Sequence, residues 1–284
     1  MKIIDGNKIA ERIKDEITIK ITEACGVFSA VRPSLAIILV GEREDSKLYV
    51  ALKEKEAIRV GIDTHVYRCD EIITEEKLIE LVEFLNNDDQ VDAILIQLPL
   101  PQHLNTNKII ETIKPEKDAD GFHPKNLEKF LTTRDIKFMP PLYAVIMEIL
   151  KDINFDVKEK QICIIANSKT FGDNLAKVLE SYKAKVLITS ANKENLSEKT
   201  SKADVLISAV GRPHFIKKDF IKKDAAIIDI GITKQDKKIL GDVDSEDVED
   251  VAGYLTPVPG GVGPITIAML FKNTLRLYLE RKKN

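Results

Sequence analysis

The chain has 284 residues, of which 44% are hydrophobic and 31% are charged, and its formal net charge is −3. This length accommodates two domains, since domains cluster around ~100 to 150 residues. Its 43 basic and 46 acidic residues are interspersed, so no basic stripe predicts nucleic-acid binding, and no apolar run approaches the ~18 residues of a membrane span. The first residues do not resemble a signal peptide, so we expect a cytoplasmic protein without nucleic-acid or membrane partners.

Apolar runs typical of buried strands alternate with helical patterns along the chain. This alternation predicts an α/β fold with parallel sheets and helices on both faces. The predicted strands span residues 34–41, 65–69, 92–100, 161–166, 185–190, 203–211 and 225–231.

Turn and breaker residues in "DADGFHP" and "FMPP" interrupt this pattern between Asp118 and Pro141. We therefore predict an N-terminal α/β domain at residues 1–139 and a Rossmann-like nucleotide domain with a parallel sheet at 140–265. The last helix starts near Pro264 and is apolar on one side. It is predicted to dock back on the first domain as residues 266–284.

The segment 41–62 reads as a strand end followed by a helix, with Asp45 or Ser46 as the predicted cap and Gly61 as the stop. Tyr49 and Lys53 are four residues apart, so they project from the same helix face. This arrangement places an aromatic platform beside an amine. A lysine in solvent beside a half-buried tyrosine is the alternative interpretation. A separate apolar seam is predicted at Leu48, Leu52 and Val60.

Two further polar groups follow predicted strand ends. Gln97 precedes Pro99 and Pro101, which cannot extend a strand, at the edge where open α/β sheets bind ligands. Asp118 and Asp120 lie on a turn beside a glycine, so the backbone can hold a carboxylate at that edge. Turn formation alone also accounts for either aspartate.

The stretch "ICIIANSKTFGDNLAKVLE", residues 162–180, reads as a buried strand, a polar turn and a helix. Dinucleotides bind at such turns, which normally contain several glycines, but Gly172 is the only one here. A glycine in this position also has a purely structural interpretation. Cys25, Cys69 and Cys163 are widely separated, so we expect buried thiols and neither disulfides nor a metal site.

A set of motifs makes this chain similar to the bifunctional methylenetetrahydrofolate dehydrogenase/methenyltetrahydrofolate cyclohydrolases. These motifs are "DSKLYVALKEKEAIRVGI", "ILIQLPLPQHLN", "KDADGFHP", "SAVGRP", "IDIGI", "GDVD" and "TPVPGGVGPITIAML", in the order of the family. The resemblance implies oxidation of 5,10-methylenetetrahydrofolate to 5,10-methenyltetrahydrofolate with a nicotinamide cofactor, then hydrolysis to 10-formyltetrahydrofolate. It also implies a place in one-carbon metabolism and purine biosynthesis, and a homodimer formed through the nucleotide domains.

The resemblance further implies roles for residues of the first constellation. Tyr49 is expected to stack on the folate, Lys53 to act in catalysis, Gln97 to tune Lys53, and Asp120 to hold the pterin. Leu98 and the loop that contains Pro259, Gly260 and Gly261 are expected to border the substrate.

For the cofactor, the resemblance implies NADP, with NAD as an alternative, and no metal. The expected contacts are Ala166, Asn167, Ser168, Gly172, Ser190 and Ile232. The chain departs from the family where Asn167 replaces an arginine that suits the 2′-phosphate of NADP, and where Pro141, Leu142 and Tyr143 replace Cys-Thr-Pro. Discrimination between NADP and NAD is then predicted to be weak unless Lys169, Lys193 or Arg212 supplies the phosphate contact. Two alternatives remain, a cyclohydrolase with a decayed dehydrogenase half and a folate-binding protein without turnover.

Overall fold

The computed structural model describes residues 1–26, 31–133, 135–236 and 238–283, without the side chain of residue 136. The chain forms two compact units, which we name by their sheets. The three-stranded unit comprises Glu11–Pro141 with Ile267–Asn284, and the six-stranded unit comprises Met1–Ala10 with Leu142–Thr266.

The secondary structure of the described residues alternates between strands and helices. The strands are β1 (Lys2–Ile3), β2 (Ser34–Val40), β3 (Asp63–Cys69), β4 (Ala93–Ile96), β5 (Gln161–Ala166), β6 (Lys185–Thr189), β7 (Val205–Ala209), β8 (Ala226–Asp229), β9 (Thr233–Gln235), β10 (Lys238–Leu240) and β11 (Tyr254–Leu255). The α-helices are α1 (Gly6–Cys25), α2 (Glu44–Val60), α3 (Glu75–Asn87), α4 (Thr106–Thr112), α5 (Pro124–Thr133), α6 (Pro141–Asp152), α7 (Lys169–Ser181), α8 (Leu196–Thr200) and α9 (Val262–Arg281). Short 3-10 turns span Pro115–Lys117, Ile136–Phe138 and Lys218–Phe220.

The three-stranded unit is built on a parallel sheet in the order β3-β2-β4. All residues of the central strand β2 are buried, as expected for an apolar run covered on both faces. After the turn Pro115–Lys117, the chain runs beside β4, where Asp118 bridges to Ile94 and the Ala119 N–H donates to the Ile94 carbonyl at 3.1 Å. This short pairing brings the segment after Asp118 to the carboxyl edge of the sheet.

Helix α9 completes the three-stranded unit from the far end of the sequence. The Asn273 amide donates to the carbonyls of Asp118, at 3.1 Å, and Ala119, at 2.6 Å. The Arg281 guanidinium pairs with the buried carboxylate of Asp92 at 2.6 Å. The last helix therefore docks as predicted, and it holds the segment that leads to Asp120.

The six-stranded unit contains a parallel sheet in the order β1-β11-β8-β7-β5-β6. The two-residue strand β1 pairs with β11, so the first ten residues group with this unit and not with residues 11–139. The sequence pattern missed β1 and β11 because two-residue strands are too short for a periodic signal. Strands β9 and β10 form a separate antiparallel pair.

Several local expectations need correction. Helix α2 begins at Glu44 with Arg43 at its N-cap, so Asp45 and Ser46 lie in its first turn. Leu48 and Leu52 are 63% and 41% exposed, so the predicted apolar seam on α2 is wrong for both. The buried face of this helix comprises Ser46, Val50, Ala57 and Val60.

Two other expectations were too broad. Strand β4 ends at Ile96, and the chain turns away through a cis peptide bond between Leu98 and Pro99. Cys163 is buried as predicted, but Cys25 and Cys69 are only half-buried. In the described ranges, we find no helix with the length and apolar character that a bilayer span requires.

Candidate active site

Lys53 and Gln97 meet at the carboxyl edge of the three-stranded sheet. Helix α2 follows the central strand β2, while Gln97 follows β4 and its N–H donates to the Ile38 carbonyl of β2 at 2.9 Å. The Lys53 Nζ donates to Gln97 Oε1 at 2.8 Å, and Gln97 Nε2 donates to the Leu98 carbonyl at 2.8 Å. The Leu98 carbonyl thus fixes the amide so that its oxygen faces the amine.

Asp118 and Asp120 are two residues apart but have different environments. The buried carboxylate of Asp118 accepts hydrogen bonds from the N–H groups of Gly121, at 2.9 Å, and His123, at 2.8 Å, and from Asn126 Nδ2 at 3.0 Å. Asp118 therefore shapes the turn, as the backbone-held carboxylate that the sequence predicted. Asp120 is half-buried, and its charge interacts with that of Lys53, since each group contributes to the pKa shift of the other.

Burial dominates the electrostatics of this cluster. Loss of hydration lowers the pKa of Lys53 below its ordinary value, and the nearby Asp120 partly opposes this effect. Loss of hydration also raises the pKa of Asp120 to about 6, against attraction by Lys53 and with a further increase from Asp118. Both groups are therefore able to change protonation state closer to neutral pH than they would in water.

Tyr49 lies one helical turn before Lys53 on α2 and is half-buried. Burial raises the pKa of its phenol, and the negative charge of Asp45 adds a smaller increase. A neutral aromatic ring beside the amine offers a stacking surface for a flat heterocycle. Tyr49, Lys53, Gln97 and Asp120 thus belong to one unit, and hydrogen bonding or charge couples the last three.

A second candidate site lies at the carboxyl edge of the six-stranded sheet, where β5 leads into α7. Ser168 caps this helix, since its hydroxyl accepts from the Phe171 N–H at 3.3 Å. Asn167 and Ser168 are exposed, whereas Ala166 is buried at the end of β5. The Asn167 side chain donates to the Val210 carbonyl at 2.6 Å, which links the turn to the loop after β7.

Gly172 has a packing role in this turn. A Cβ at this position would lie 3.1 Å from Ile188 Cγ2, so the glycine allows α7 to approach β6 closely. Close packing of the helix on the sheet is one of the reasons for glycine in dinucleotide turns. This close approach supports the structural interpretation of Gly172, which is compatible with nucleotide binding by the same turn.

Two buried aspartates organise the neighbouring loops, a role that the sequence analysis missed. Asp242 accepts from the Ser208 hydroxyl at 2.7 Å and from the N–H groups of Val210, at 2.7 Å, and Arg212, at 2.8 Å. Asp229 accepts from the N–H groups of residues 231 and 243, both at 2.9 Å. The motifs "IDIGI" and "GDVD" are the sequence signal of this pair, because the first places Asp229 two residues before a glycine and the second places Asp242 directly after one.

The loop that contains Pro259, Gly260 and Gly261 belongs to the six-stranded unit. It lies against the start of α1, where a Cβ on Gly6 would overlap the Gly261 carbonyl. Gly260 has a φ of +98°, a backbone conformation that favours glycine. Ser190 and Ile232, at the ends of β6 and β8, are exposed at the carboxyl edge of the sheet.

The residues at this edge fit a nicotinamide dinucleotide. The N-terminus of a 13-residue helix, α7, favours an anionic pyrophosphate, and exposed Arg212, Lys169 and Lys193 add cationic groups. These backbone and side-chain donors suit the anionic phosphate groups of a dinucleotide.

Comparison with known proteins assigns both halves of the chain to one protein family. Residues 4–120 match the catalytic domain of tetrahydrofolate dehydrogenase/cyclohydrolase, and residues 140–282 match the NAD(P)-binding domain of the same family. The chain belongs to the tetrahydrofolate dehydrogenase/cyclohydrolase family.

Relatives of this family match over nearly their whole length. The chain is 43% identical to the bifunctional protein FolD of Sulfurihydrogenibium sp. (strain YO3AOP1), covering 99% of both chains. Its structure resembles FolD from Campylobacter jejuni, with a TM-score of 0.92 and 37% identity over 99% of each chain. It also resembles Trypanosoma brucei FolD in complex with NADP and an inhibitor, with a TM-score of 0.94 and 31% identity over 99% and 98% of the two chains.

These comparisons confirm the predicted family, the two-domain α/β fold and the main functional interpretation. The chain is a folate-dependent dehydrogenase and cyclohydrolase with an NAD(P)-binding domain. The comparisons do not favour the two alternatives, a cyclohydrolase with a decayed dehydrogenase half and a folate-binding protein without turnover.

Proposed function

We propose that this protein couples the two reactions through a lysine-centred site, with folate held by the three-stranded unit and the dinucleotide by the six-stranded unit. The hydrogen bond between Lys53 and Gln97, beside a partly dehydrated Asp120, is the observation that supports this proposal most directly. It joins a titratable amine, a neutral orienting amide and an anionic anchor in one cluster.

In the dehydrogenase step, the chain positions the folate. Asp120 accepts hydrogen bonds from the N–H groups of the pterin, and Tyr49 stacks on the ring, so the one-carbon bridge is held in one orientation. The bound nicotinamide supplies a hydride acceptor at its C4. Loss of the hydride leaves a cationic methenyl bridge on the folate.

In the cyclohydrolase step, Lys53 transfers protons as water adds to the methenyl carbon and a ring nitrogen departs. Burial lowers the pKa of Lys53. Its neutral amine form is therefore populated at a lower pH than the amine form of a lysine in water. The cationic methenyl bridge disfavours a neighbouring ammonium and therefore acts in the same direction. Gln97 orients the amine without adding charge, and its amide oxygen accepts an N–H from either protonation state.

We also propose NADP as the preferred cofactor, with NAD accepted. The basic groups Lys169, Lys193 and Arg212 around the α7 turn and the NADP complex of the Trypanosoma brucei relative support this choice. Ala166, Asn167, Ser168, Gly172, Ser190 and Ile232 are the proposed contacts. For the folate, Leu98 is a further proposed contact, while Pro259, Gly260 and Gly261 stay predictions from the family resemblance.

We further propose a homodimer formed through the β6 edge of the six-stranded sheet. Strand β6 is the last strand in that sheet among the described residues. Leu187 and Ile188 are 43% and 38% exposed there, and an apolar sheet edge favours pairing with a second copy. A role in purine biosynthesis and a cytoplasmic location stay predictions.

A spectrophotometric assay of 5,10-methylenetetrahydrofolate with NADP, and separately with NAD, tests the proposed function. We expect nucleotide reduction followed by formation of 10-formyltetrahydrofolate, with NADP more effective than NAD. Rapid hydrolysis of methenyltetrahydrofolate without reduction of either nucleotide would contradict the dehydrogenase half.

A further inference from the structure

Arg212, in the loop after β7, is exposed and yet anchored at three points. Its backbone N–H donates to the buried carboxylate of Asp242 at 2.8 Å. Its guanidinium Nη2 donates to Asn192 Oδ1 at 2.8 Å, and the guanidinium carbon Cζ lies 5.4 Å from the centre of the Phe215 ring. Among the described residues, no carboxylate pairs with this guanidinium. A fixed cation without an anionic partner is therefore available at this edge.

The contact between Arg212 and Asn192 joins two loops that lie on either side of β5, the strand that leads into the α7 turn. Asn192 follows β6 and Arg212 follows β7, and β5 lies between these two strands in the sheet. The adenosine half of a dinucleotide occupies this region in doubly wound sheets, with the ribose hydroxyls facing the end of the second strand. Arg212 thus lies on the side where the 2′-phosphate distinguishes NADP from NAD.

The residues after β6 suit a phosphate at this position. A carboxylate at the end of the second strand would bind the free 2′-hydroxyl of NAD and repel a phosphate. Residues 190–193 are Ser, Ala, Asn and Lys, and the first carboxylate is Glu194. Asn192 accepts from one of the five N–H groups of the guanidinium, which leaves others in a planar arrangement that suits two phosphate oxygens.

Asn167, which follows β5, connects to the same loop. Its side chain donates to the Val210 carbonyl at 2.6 Å, so it holds the loop that presents Arg212. We propose that Arg212 binds the 2′-phosphate of NADP and that Asn167 is a positioning residue for Arg212. This inference rests on the proposed dinucleotide site, and it adds the residue that selects between the two nucleotides.

The test measures nucleotide binding rather than turnover. Wild type and Arg212→Met are titrated with NADPH and NADH by nucleotide fluorescence, and with 2′,5′-ADP and 5′-AMP by calorimetry. Loss of a charge-assisted contact predicts a roughly tenfold to hundredfold weaker affinity for NADPH and 2′,5′-ADP. The affinities for NADH and 5′-AMP should stay unchanged, which also shows that the variant retains a folded site.

Two further variants separate a specific contact from a general effect of charge. Lys169→Met removes the same charge at the first residue of α7, and it should weaken NADPH and NADH binding alike. Asn167→Ala should weaken NADPH more than NADH, and this difference should disappear when it is combined with Arg212→Met. Independent effects of the two substitutions would overturn the positioning role of Asn167.

The results also distinguish this inference from the proposed function. A wild type that reduces NAD and NADP but binds NADPH and NADH equally would overturn the phosphate contact and leave the dehydrogenase intact. Unchanged preference for NADPH in Arg212→Met, or equal loss of both nucleotides, would overturn the role of Arg212. A wild type that binds neither nucleotide would contradict both the inference and the proposed dehydrogenase.

Discussion

Replacement of Asp120 by asparagine should stabilise the fold while it impairs both reactions. Burial raises the pKa of Asp120 from an ordinary 3.8 to about 6, so the folded state disfavours the carboxylate relative to the unfolded chain. A raised folded pKa gives a relative stability that is greatest below about pH 4 and is lost as the pH rises through about 6. Asparagine keeps the shape of the side chain and removes the charge.

The size of the effect follows from the difference between the two pKa values. At about 1.36 kcal/mol per pKa unit, the partly dehydrated carboxylate destabilises the fold by about 1.6 kcal/mol at pH 5 and about 3 kcal/mol at pH 8. The pKa of about 6 already includes the attraction by Lys53, so the loss of that attraction in Asp120→Asn needs no separate subtraction. The stability advantage of Asp120→Asn over wild type should therefore grow by about 1.4 kcal/mol from pH 5 to pH 8.

Urea unfolding of both proteins at the two pH values measures this difference, and turnover assays measure the loss of function. Asp118→Asn is the matched control, since it alters a carboxylate that accepts three hydrogen bonds. It should destabilise the protein by roughly 1 to 3 kcal/mol, because the three donors lose a charged acceptor. An Asp120→Asn variant that is less stable than wild type at pH 8, or whose advantage does not change with pH, would refute the reasoning.

Three other predictions concern the amine, its neighbour and the sheet edge. Lys53→Met should abolish hydrolysis of methenyltetrahydrofolate while folate still binds in an equilibrium titration, and normal hydrolysis would exclude Lys53 as the proton carrier. Gln97→Glu places a carboxylate beside Lys53 and should raise its pKa, so the rate profile of the cyclohydrolase should move to higher pH; an unmoved profile would contradict the coupling. Leu187→Asp should turn the dimer into a monomer, as measured by light scattering. A wild type that is already monomeric would disprove the proposed interface.

Local sequence patterns predicted the parts of the fold that consist of a continuous apolar run or of a helix with apolar residues at regular spacing. The apolar runs of β2 and β5 mark central strands because both faces are covered, and their order along the chain predicts parallel sheets. The two-residue pair of β1 and β11 has no such signal, and only the folded sheet shows that the N-terminus joins the six-stranded unit. Pairing over such a distance in sequence is not encoded in either segment alone.

The helix that contains Lys53 illustrates the limits of spacing arguments. Spacing placed Tyr49 and Lys53 on one face, but it did not identify which other face is buried. Leu48 and Leu52 are exposed while Ser46 is buried, because the fold and not side-chain polarity decides which side of α2 meets the sheet.

The two aspartates of "KDADG" could not be told apart from their sequence. Both are turn residues by composition, yet the hydrogen bonds from Gly121, His123 and Asn126 all converge on Asp118. The charge of Asp120 instead interacts with Lys53. Similarly, the sequence offered three candidate cations for the nucleotide, and the bond from Arg212 to Asn192 is the reason that we propose Arg212 as the phosphate contact.

The central claim is that one chain oxidises methylenetetrahydrofolate and hydrolyses the product through a site centred on Lys53. The most direct test follows nucleotide reduction and 10-formyltetrahydrofolate formation together, in wild type and in Lys53→Met, starting from 5,10-methylenetetrahydrofolate and NADP. Wild type should form both products, and Lys53→Met should form no 10-formyltetrahydrofolate beyond the uncatalysed rate. Formation of 10-formyltetrahydrofolate by Lys53→Met at the wild-type rate, or a wild type that reduces neither NADP nor NAD, would contradict the account.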